Sequence, residues 1–276
     1  MSVAIQGQRA SFHDQAARSF FGPTIDILPC DTFQEVFTSV TDAVATHGVV
    51  AIENSLYGSI NPVYDLLLHS NCRIVGETYL RVELCLIGLP DARLEQIHEV
   101  HSQVFALSEC EDFLDKSLPK AQRFEEHDTA ASVAMIKKWG DPHKAAIASR
   151  QAAELHGMQI IESGIETHHE NYTRFVIIST SDKTPKDANK TSLVLTTTAD
   201  TKPGSLHAAL GAFARHDINL TMLQSRPLIG KAWHYLFYVD LLAASTSPHF
   251  QQALDALDDL GFDVTILGSY ASGRPL

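Results

Sequence analysis

Three segments of the chain combine small residues with predicted helix or loop starts in a way that suits anion binding. They are residues 7–13 (GQRASFH), 53–61 (ENSLYGSIN) and 128–132 (DTAAS). Each follows a predicted strand, and such junctions present free backbone N–H groups and a helix dipole to negative charge. Taken singly, each is more often an ordinary helix N-cap. Their recurrence on two predicted lobes favours a small polyanion held between the lobes.

A fourth segment, residues 171–178 (NYTRFVII), places a hydroxyl beside a guanidinium. On an extended chain Thr173 and Phe175 face one side of a sheet and Arg174 faces the other. Threonine and aromatic residues are common in strands, and an arginine at a strand edge is often only solvated. By its composition alone this segment is a weak indication of chemistry.

The elements that must position these segments alternate along residues 3–179. Short β-branched runs such as VAIQ, TIDIL and GVVAIE precede helical patterns, which predicts an α/β fold with parallel sheet covered by helices. Ser11 and Ser149 are predicted N-caps, and residues 32–35 (TFQE) have the form of a capping box. An extended stretch at residues 73–89 divides the alternation into two series, so we expect two lobes joined by crossing strands.

The second series has its own predicted order. It reads as a strand at 97–101, helices at 103–116 and 129–139, and strands at 145–148 and 173–179.

A polar stretch then separates a smaller unit from the rest. Residues 181–190 (SDKTPKDANK) have the composition of an exposed linker. The unit after it reads as a strand at 191–198, a helix after Pro203-Gly204, strands at 218–226 and 233–241, a helix from Ser247-Pro248 and a strand at 263–270. This βαββαβ order is the ferredoxin-like plan.

Composition excludes several classes of protein. The net charge is −12, which disfavours nucleic-acid and anionic-membrane partners. No apolar run is long enough to span a bilayer or to act as a signal peptide, so we expect a cytoplasmic protein. The four cysteines form no CxxC pair, which indicates neither a metal site nor a disulfide framework.

Over nearly its whole length the chain resembles the prephenate dehydratase family with a C-terminal ACT regulatory domain. The resemblance rests on residues 48–67 (GVVAIENSLYGSINPVYDLL), 100–114 (VHSQVFALSECEDFL), 128–136 (DTAASVAMI) and 171–178, together with KTSLVLTTTADTKPGSLHAAL, DINLTMLQSRP and YLFYVDL in the smaller unit. It implies a two-lobed, periplasmic-binding-protein-like catalytic domain at residues 1–180, a linker at 181–190 and an ACT domain at 191–276.

The resemblance also implies roles for particular residues. The Thr-Arg-Phe motif matches Thr173, Arg174 and Phe175, which are the expected catalytic residues. The expected substrate-binding residues are Ser11, Glu53, Asn54, Ser55, Ser102, Thr129, Ala130 and Ala131. The residues expected to bind allosteric L-phenylalanine are Gly204, Ser205, Leu206, Asn219, Ser225, Arg226 and Pro227. A homodimer or homotetramer is expected, and neither a cofactor nor a metal is required.

The implied reaction is the decarboxylating dehydration of prephenate. Thr173 is expected to donate to the leaving hydroxyl, with Glu53 or His101 as alternative proton donors. Arg174 is expected to hold a substrate carboxylate by two hydrogen bonds, and Phe175 to keep the departing carboxylate dry. Two alternatives stay open: an arogenate dehydratase, which shares these motifs, and a non-catalytic amino-acid sensor.

The regulatory motifs differ from the family pattern. The chain has Gly204-Ser205-Leu206 where the family often has Gly-Ala-Leu, and Gln224-Ser225 where it often has Glu-Ser. The N-terminal loop also differs, although Ser11 keeps a hydroxyl at the matching position.

Overall fold

The computed structural model describes residues 1–197, 203–228, 230–231 and 233–273. Within these residues the chain forms three sheets, two of them in a larger part that ends near residue 179 and one in the smaller unit. No helix in the described ranges is long and apolar enough to cross a membrane.

Lobe 1 contains the first five strands and a later strand that returns to it. Its elements are β1 (Ser2–Gln6), α1 (Phe12–Phe21), β2 (Asp26–Cys30), α2 (Phe33–Thr41), β3 (His47–Asn54), β4 (Gly58–Ser59), α3 (Asn61–His69), β5 (Arg73–Arg81) and β11 (Tyr172–Ser179).

The sheet of lobe 1 has the strand order β2-β1-β3-β11-β5, with β4 paired to β3. β1 runs parallel to β2 and β3, whereas β11 is antiparallel to both β3 and β5. The predicted parallel arrangement is therefore confirmed for β1, β2 and β3, whereas β11 makes the sheet mixed. β11 re-enters lobe 1 from lobe 2 between two strands that run the other way.

Lobe 2 is formed by the chain between β5 and β11. Its elements are β6 (Cys85–Gly88), β7 (Glu99–Ser102), α4 (Val104–Glu109), α5 (Glu111–Ser117), β8 (Gln122–Glu125), α6 (Thr129–Trp139), β9 (Lys144–Ala148), α7 (Arg150–His156) and β10 (Gln159–Ser163). The strand order is β10-β6-β9-β7-β8.

Three features of lobe 2 differ from the prediction. The single helix expected at 103–116 is broken at Cys110, whose backbone is not helical (φ −104°, ψ 14°). The strands β8 and β10 were missed, because both lie at sheet edges and are largely exposed, so they lack the apolar signal of a buried strand.

Two crossing segments join the lobes, at residues 82–84 and 164–171. They are paired with each other: the Val82 amide donates to the Asn171 carbonyl (2.8 Å) and the Ile165 amide to the Leu84 carbonyl (3.1 Å). The predicted two-lobed fold, joined by crossing segments, is thus confirmed.

The smaller unit has the predicted βαββαβ order. Its elements are β12 (Lys190–Thr197), α8 (Ser205–Arg215), β13 (Leu220–Pro227), β14 (Tyr235–Leu241), α9 (Pro248–Asp259) and β15 (Phe262–Tyr270). The antiparallel sheet has the order β13-β14-β12-β15. Lys190 was assigned to the linker, but it is buried and begins β12. Thr198, the predicted end of this strand, lies outside the described residues.

The predicted helix starts are confirmed by their side-chain caps. Ser11, Thr32 and Ser149 each accept a hydrogen bond from the amide three residues later, at 3.2–3.3 Å. The capping box is modified at its second half, because the Glu35 carboxylate accepts from the Asp31 amide (2.9 Å) rather than from Thr32.

The smaller unit packs against the α2–α3 side of lobe 1. One apolar cluster contains Tyr64 and Ile74 from lobe 1 together with Val194, Tyr238 and Leu267 from the third sheet. The opposite side of the lobe 1 sheet is covered by α1. The two faces of the same sheet therefore have different neighbours, which decides where the residues of β11 point.

Candidate functional site

Thr173 lies in a central strand near the cleft between the lobes. The register of β11 places Thr173 opposite Asn54 of β3 on one side and opposite Leu80 of β5 on the other. Asn171, in the crossing segment just before β11, is fully buried. The resemblance implied a catalytic role for Thr173 and a substrate-binding role for Asn54, and in the structure the two residues are neighbours in the sheet.

A short hydrogen-bond network, here called the cleft network, joins Asn54, Asn171 and Thr173. The Asn54 Nδ2 group donates to Asn171 Oδ1 (2.7 Å) and to Thr173 Oγ1 (3.1 Å). Asn54 Oδ1 accepts from the backbone amides of Leu56 and Tyr57. These two amides fix which end of the Asn54 side chain carries the hydrogens.

The cleft network leaves the Thr173 proton available. Thr173 Oγ1 acts as acceptor toward Asn54, and in the described part of the chain no other protein group bonds to this hydroxyl. A hydroxyl that accepts one bond still has one hydrogen to donate. The arrangement therefore presents an oriented O–H donor, which suits assistance to a departing oxygen.

Arg174 points to the opposite face of β11, and the expected contact with a substrate carboxylate needs correction. Its guanidinium is buried under the third sheet: Nε contacts Glu77 (2.7 Å), Nη1 contacts Asp240 (2.5 Å) and Nη2 donates to the Tyr270 hydroxyl (2.9 Å). Burial would lower its pKa, but Asp240, Tyr270 and Glu77 raise it well above its usual range. Strand alternation separates Arg174 from Thr173.

Glu53 shares the face of Arg174 rather than that of Asn54. Its carboxylate lies 3.7 Å from Arg174 Nη1. Phe175 is on the Thr173 side but is buried in the core under α1, where its ring meets the edge of His13 at 5.1 Å between centroids. Neither side chain lies where the sequence prediction placed it, at the reacting centre.

His13 is a site-adjacent residue to which the sequence gave no role. Its Nε2 accepts from the Ala51 amide (3.1 Å), beside an irregularity in the pairing of β3 with β11. Burial lowers the pKa of His13 to about 4, so the ring is neutral and acts as an acceptor that satisfies β3.

The predicted anion-binding junctions are largely occupied by the chain itself. The amide of Ala131 donates to Asp128 Oδ1 (2.7 Å), and the Ser55 amide donates to the Tyr172 carbonyl (2.8 Å). Ser11 Oγ caps the Asp14 amide. The expectation of free N–H groups at Ser55 and Ala131 is therefore wrong for this conformation, because side chains and β11 satisfy these donors.

Lobe 2 residues named from the sequence are also mostly internal. Ser102 is fully buried and donates to the Ile147 carbonyl (2.6 Å). Thr129 and Ala130 are buried at the start of α6. His101 is held between Phe124, Trp139, Glu99 and Glu126, so it lies outside the cleft network and does not fit the role of proton donor.

The two lobes meet at three points near the predicted junctions. A Cβ added to Gly7, where φ is +90°, would lie 2.8 Å from Asp128 Oδ2. Ser149 Oγ donates to the Ala10 carbonyl (2.9 Å). The rings of Tyr57 and Phe105, both largely exposed, contact each other edge to face at 5.5 Å. Contacts of this kind require the lobes to be close together.

Glu109, at the end of α4, is an unusual carboxyl that sequence reasoning missed. Burial raises its pKa to about 7, interaction with the Asn171 side chain lowers it, and the charge of Glu166 raises it. Glu166 is itself buried and ties the crossing segments together by contacts to Arg81 and to the Leu84 amide, both at 2.9 Å. No pattern in the sequence marks this glutamate, since its burial depends on lobe packing.

The residues expected to bind an effector lie in the smaller unit. Gly204 precedes α8 with φ +87° and is exposed, while Ser205 and Leu206 begin the helix. Asn219 and Ser225 are exposed. Arg226 reaches Asp65 of lobe 1 (2.7 Å), and Pro227 ends β13. Arg226 therefore contributes to the contact between the third sheet and lobe 1.

Family profiles match both parts of the chain. The profile described as Prephenate dehydratase matches residues 3–183, and the profile described as ACT domain matches residues 193–259.

Similar sequences extend over nearly the full chain. A Bifunctional chorismate mutase/prephenate dehydratase of Aquifex aeolicus (strain VF5) is 35% identical, covering 98% of this chain and 73% of that protein. Arogenate dehydratase 4, chloroplastic, of Arabidopsis thaliana is 36% identical, covering 98% and 67%.

Two solved structures with similar folds are named for different activities. The prephenate dehydratase in complex with L-Phe from Arthrobacter aurescens has a TM-score of 0.90 at 26% identity, covering 100% of this chain and 92% of that chain. A structure described as GqqA, a novel type of quorum quenching acylases, has a TM-score of 0.88 at 32% identity, covering 99% and 98%.

Proposed function

The chain belongs to the prephenate dehydratase family and carries a C-terminal ACT domain, and from this premise we propose that it converts prephenate to phenylpyruvate, water and carbon dioxide in phenylalanine biosynthesis, with feedback inhibition by phenylalanine. The observation that carries the proposal is the cleft network. It presents the Thr173 hydroxyl of the family motif as an oriented donor beside the cleft.

The chemistry requires a donor at one oxygen. The bond from the ring carbon to its hydroxyl breaks, and so does the bond from the ring to its carboxylate, whose electron pair makes the ring aromatic. One proton is consumed as hydroxide leaves as water. In this proposal the Thr173 O–H bonds to the departing oxygen, and a donor held in this way contributes typically ~10²–10⁴-fold in rate.

Asn54 holds the donor in place. Because its Oδ1 is fixed by two backbone amides, its Nδ2 can only point toward Asn171 and Thr173. Thr173 Oγ1 accepts a hydrogen bond from Asn54, so its own hydrogen points in another direction. The Asn54 amide thus does the work of orientation, and Thr173 makes the contact with substrate.

Glu109 is the proposed source of the consumed proton. Its pKa of about 7 leaves a large fraction protonated at neutral pH, as an effective general acid requires. Asn171, whose side chain lowers the pKa of Glu109, accepts a hydrogen bond from Asn54. Glu109 replaces Glu53 and His101 in this role, because both of those side chains face away from the cleft network.

Turnover of the purified protein tests the proposal. The protein is mixed with prephenate, and phenylpyruvate is followed by its absorbance in alkali; arogenate is supplied in parallel and phenylalanine is measured. Faster turnover of arogenate would favour the arogenate dehydratase alternative, which the Arabidopsis relative supports. Binding without turnover of either compound would favour the amino-acid sensor. The assay decides, because one fold can carry different activities.

Assembly through the third sheet is also proposed. Of its two edge strands, β15 packs against β5, where a side chain at Gly268 would meet the Ile74 backbone at 2.1 Å. Within the described part of the chain β13 has a neighbour on one side only. An open strand edge is a site for pairing with another chain, so we propose a homodimer or dimer of dimers formed through β13, which light scattering tests.

Phenylalanine is proposed to bind in such a pair of ACT domains, at residues 204–206 with Asn219 and residues 225–227. The positive φ of Gly204 and the following helix start suit close approach of a carboxylate. The complex of the Arthrobacter aurescens relative with L-Phe supports the ligand class. Calorimetry with phenylalanine on the wild type and on Gly204→Val tests the site, and the variant is expected to lose binding while keeping activity.

A further inference from the structure

A second polar cluster lies on the other face of β11, between lobe 1 and the third sheet. We call it the interdomain cluster. Its charged members are Glu77, Arg174, Lys190 and Asp240, each with only 2–3% of its surface exposed. Two cations thus face two carboxylates inside the protein. Glu77 and Arg174 come from the catalytic strands β5 and β11, and Lys190 and Asp240 come from β12 and β14 of the ACT domain.

Three contacts of the interdomain cluster cross between the domains: Glu77 with Lys190, and Arg174 with Asp240 and with Tyr270. Glu77 binds Arg174 Nε at 2.7 Å and Lys190 Nζ at 2.9 Å. Asp240 contacts Arg174 at 2.5 Å and accepts from Ser192 at 2.5 Å. The Tyr270 hydroxyl bonds to Arg174 (2.9 Å) and to Ser192 (2.6 Å). All three nitrogens of the Arg174 guanidinium are therefore held, two of them by ACT residues.

Stability alone is a poor explanation for this cluster. Burying four charges carries a desolvation cost that their mutual attraction scarcely exceeds, and apolar residues of similar size would join two domains at least as well. What a closed set of charges does provide is one fixed geometry, because any displacement leaves a charge buried and unpaired.

The fixed geometry bears on Thr173 because Thr173 and Arg174 share a peptide unit. In the ladder with β3, Thr173 pairs with Asn54 and Arg174 with Glu53, and the register shifts immediately afterwards, between Arg174 and Phe175. The regular pairing of β11 with β3 is therefore interrupted directly after Arg174. The side chain of Arg174 supplies a second anchor at that point.

We propose that Arg174 is a positioning residue through which the interdomain cluster holds Thr173 against Asn54 and transmits changes in the ACT domain to the catalytic hydroxyl. Glu77, Asp240 and Tyr270 act through Arg174 in this scheme. The proposal deepens the proposed function and rests on it for the kinetic readout.

Two matched tyrosine substitutions test the proposal in the full-length protein. Tyr270→Phe removes a buried hydroxyl that bonds to Arg174. Tyr238→Phe removes a buried hydroxyl that also crosses between the domains, but bonds to the Tyr64 carbonyl (3.0 Å) and does not touch Arg174. Both changes delete one oxygen from the ACT side of the same interface; Tyr270→Phe removes the bonds to Arg174 and Ser192, and Tyr238→Phe removes the bond to the Tyr64 carbonyl.

Tyr270→Phe should lower kcat about five-fold, the factor that corresponds to one hydrogen bond, with KM within two-fold of wild type. It should also reduce the factor by which phenylalanine inhibits turnover, while calorimetry gives an unchanged phenylalanine Kd. Tyr238→Phe should leave kcat and the inhibition factor unchanged. Equal effects of the two variants, or none from Tyr270→Phe, would overturn the proposal. Asp240→Asn should act in the same direction as Tyr270→Phe and more strongly.

A readout that does not depend on turnover separates this proposal from the proposed function. The side-chain amide signal of Asn54 in ¹⁵N-labelled protein, identified by its loss in Asn54→Asp, reports the cleft network directly. Tyr270→Phe should shift this signal and Tyr238→Phe should not. If the wild type fails to turn over prephenate but this pattern is found, the proposed function is wrong and the positioning role stands; an Asn54 signal unmoved by Tyr270→Phe contradicts the positioning role.

Discussion

The two faces of β11 differ in kind although their residues alternate along one strand. On the cleft face, Thr173 joins Asn54 and Asn171 in an uncharged network that keeps one donor available. On the other face, Arg174 belongs to a closed set of charges whose partners are all supplied by the protein. We infer that the Thr-Arg-Phe motif has two roles, with the proposed chemistry at Thr173 on one face and attachment to the ACT domain through Arg174 on the other.

The strongest way to break this comparison is to remove the donor from the cleft face. Thr173→Ala should lower kcat by about 10²-fold or more, because the departing oxygen loses its donor, while urea unfolding shows a loss of only about 1 kcal/mol. Thr173→Ser keeps the hydroxyl and should retain most turnover. A Thr173→Ala enzyme with near-normal kcat would remove this residue from the mechanism.

On the opposite face of β11, removal of the Arg174 charge should lower the free energy of unfolding. Arg174→Met keeps much of the side-chain volume but leaves Glu77 and Asp240 buried without their cation, and breaking a buried ion pair of this kind costs about 3–5 kcal/mol. Urea unfolding measures the loss. Arg150→Met is a suitable control, since Arg150 forms an exposed pair with Glu83, and such pairs contribute about 0–1 kcal/mol. Similar losses in the two variants would contradict the closed character of the interdomain cluster.

Glu109 should make both the stability and the kcat of the protein depend on pH. Its folded-state pKa is about 7, above its ordinary value of 4.5, so the folded protein holds a proton that the unfolded chain has lost. Stability from this group is therefore present below pH 4.5 and declines as pH rises through 7. Glu109→Gln should remove this decline and, after allowance for partial exposure, stabilise the protein by about 1–2 kcal/mol at pH 8.

Urea unfolding at pH 5 and pH 8 checks the Glu109 prediction. Wild type is expected to show a fall in kcat above pH 7, and the same variant should lack this fall, because its amide has no proton to give. An unchanged pH profile in Glu109→Gln would exclude this carboxyl as the acid.

The smallest expected effect concerns lobe contact at the cleft mouth. Phe105→Ala removes the ring that meets Tyr57 across the lobes, and such aromatic pairs contribute about 0.5–1.5 kcal/mol. KM for prephenate should rise about two- to ten-fold, with kcat nearly unchanged. Phe124→Ala, at an aromatic residue of lobe 2 that stacks on His101 away from this contact, provides the comparison, and an equal rise in KM there would contradict a closing role for Phe105.

Local patterns in the sequence determined the elements and their caps. Ser11, Thr32, Ser149 and Ser247 mark helix starts that the structure contains, because capping depends on residues within one turn. The βαββαβ order likewise follows from short-range signals. The strand that contains Thr173 was assigned to the second series, and its pairing with the Asn54 strand of lobe 1 is seen only in the structure. Edge strands such as β8 were missed, since an exposed strand buries little apolar surface.

Tertiary structure alone decided what each polar group faces. Strand alternation showed that Arg174 and Thr173 lie on opposite faces, but not that the ACT domain covers the Arg174 face and supplies Asp240 and Tyr270. The anion-friendly helix starts were visible in the sequence, yet their donors are taken by Asp128 and by β11. The burial that raises the pKa of Glu109 also comes from lobe packing. Burial and long-range partners depend on residues far apart in the chain, so short-range sequence patterns cannot predict them.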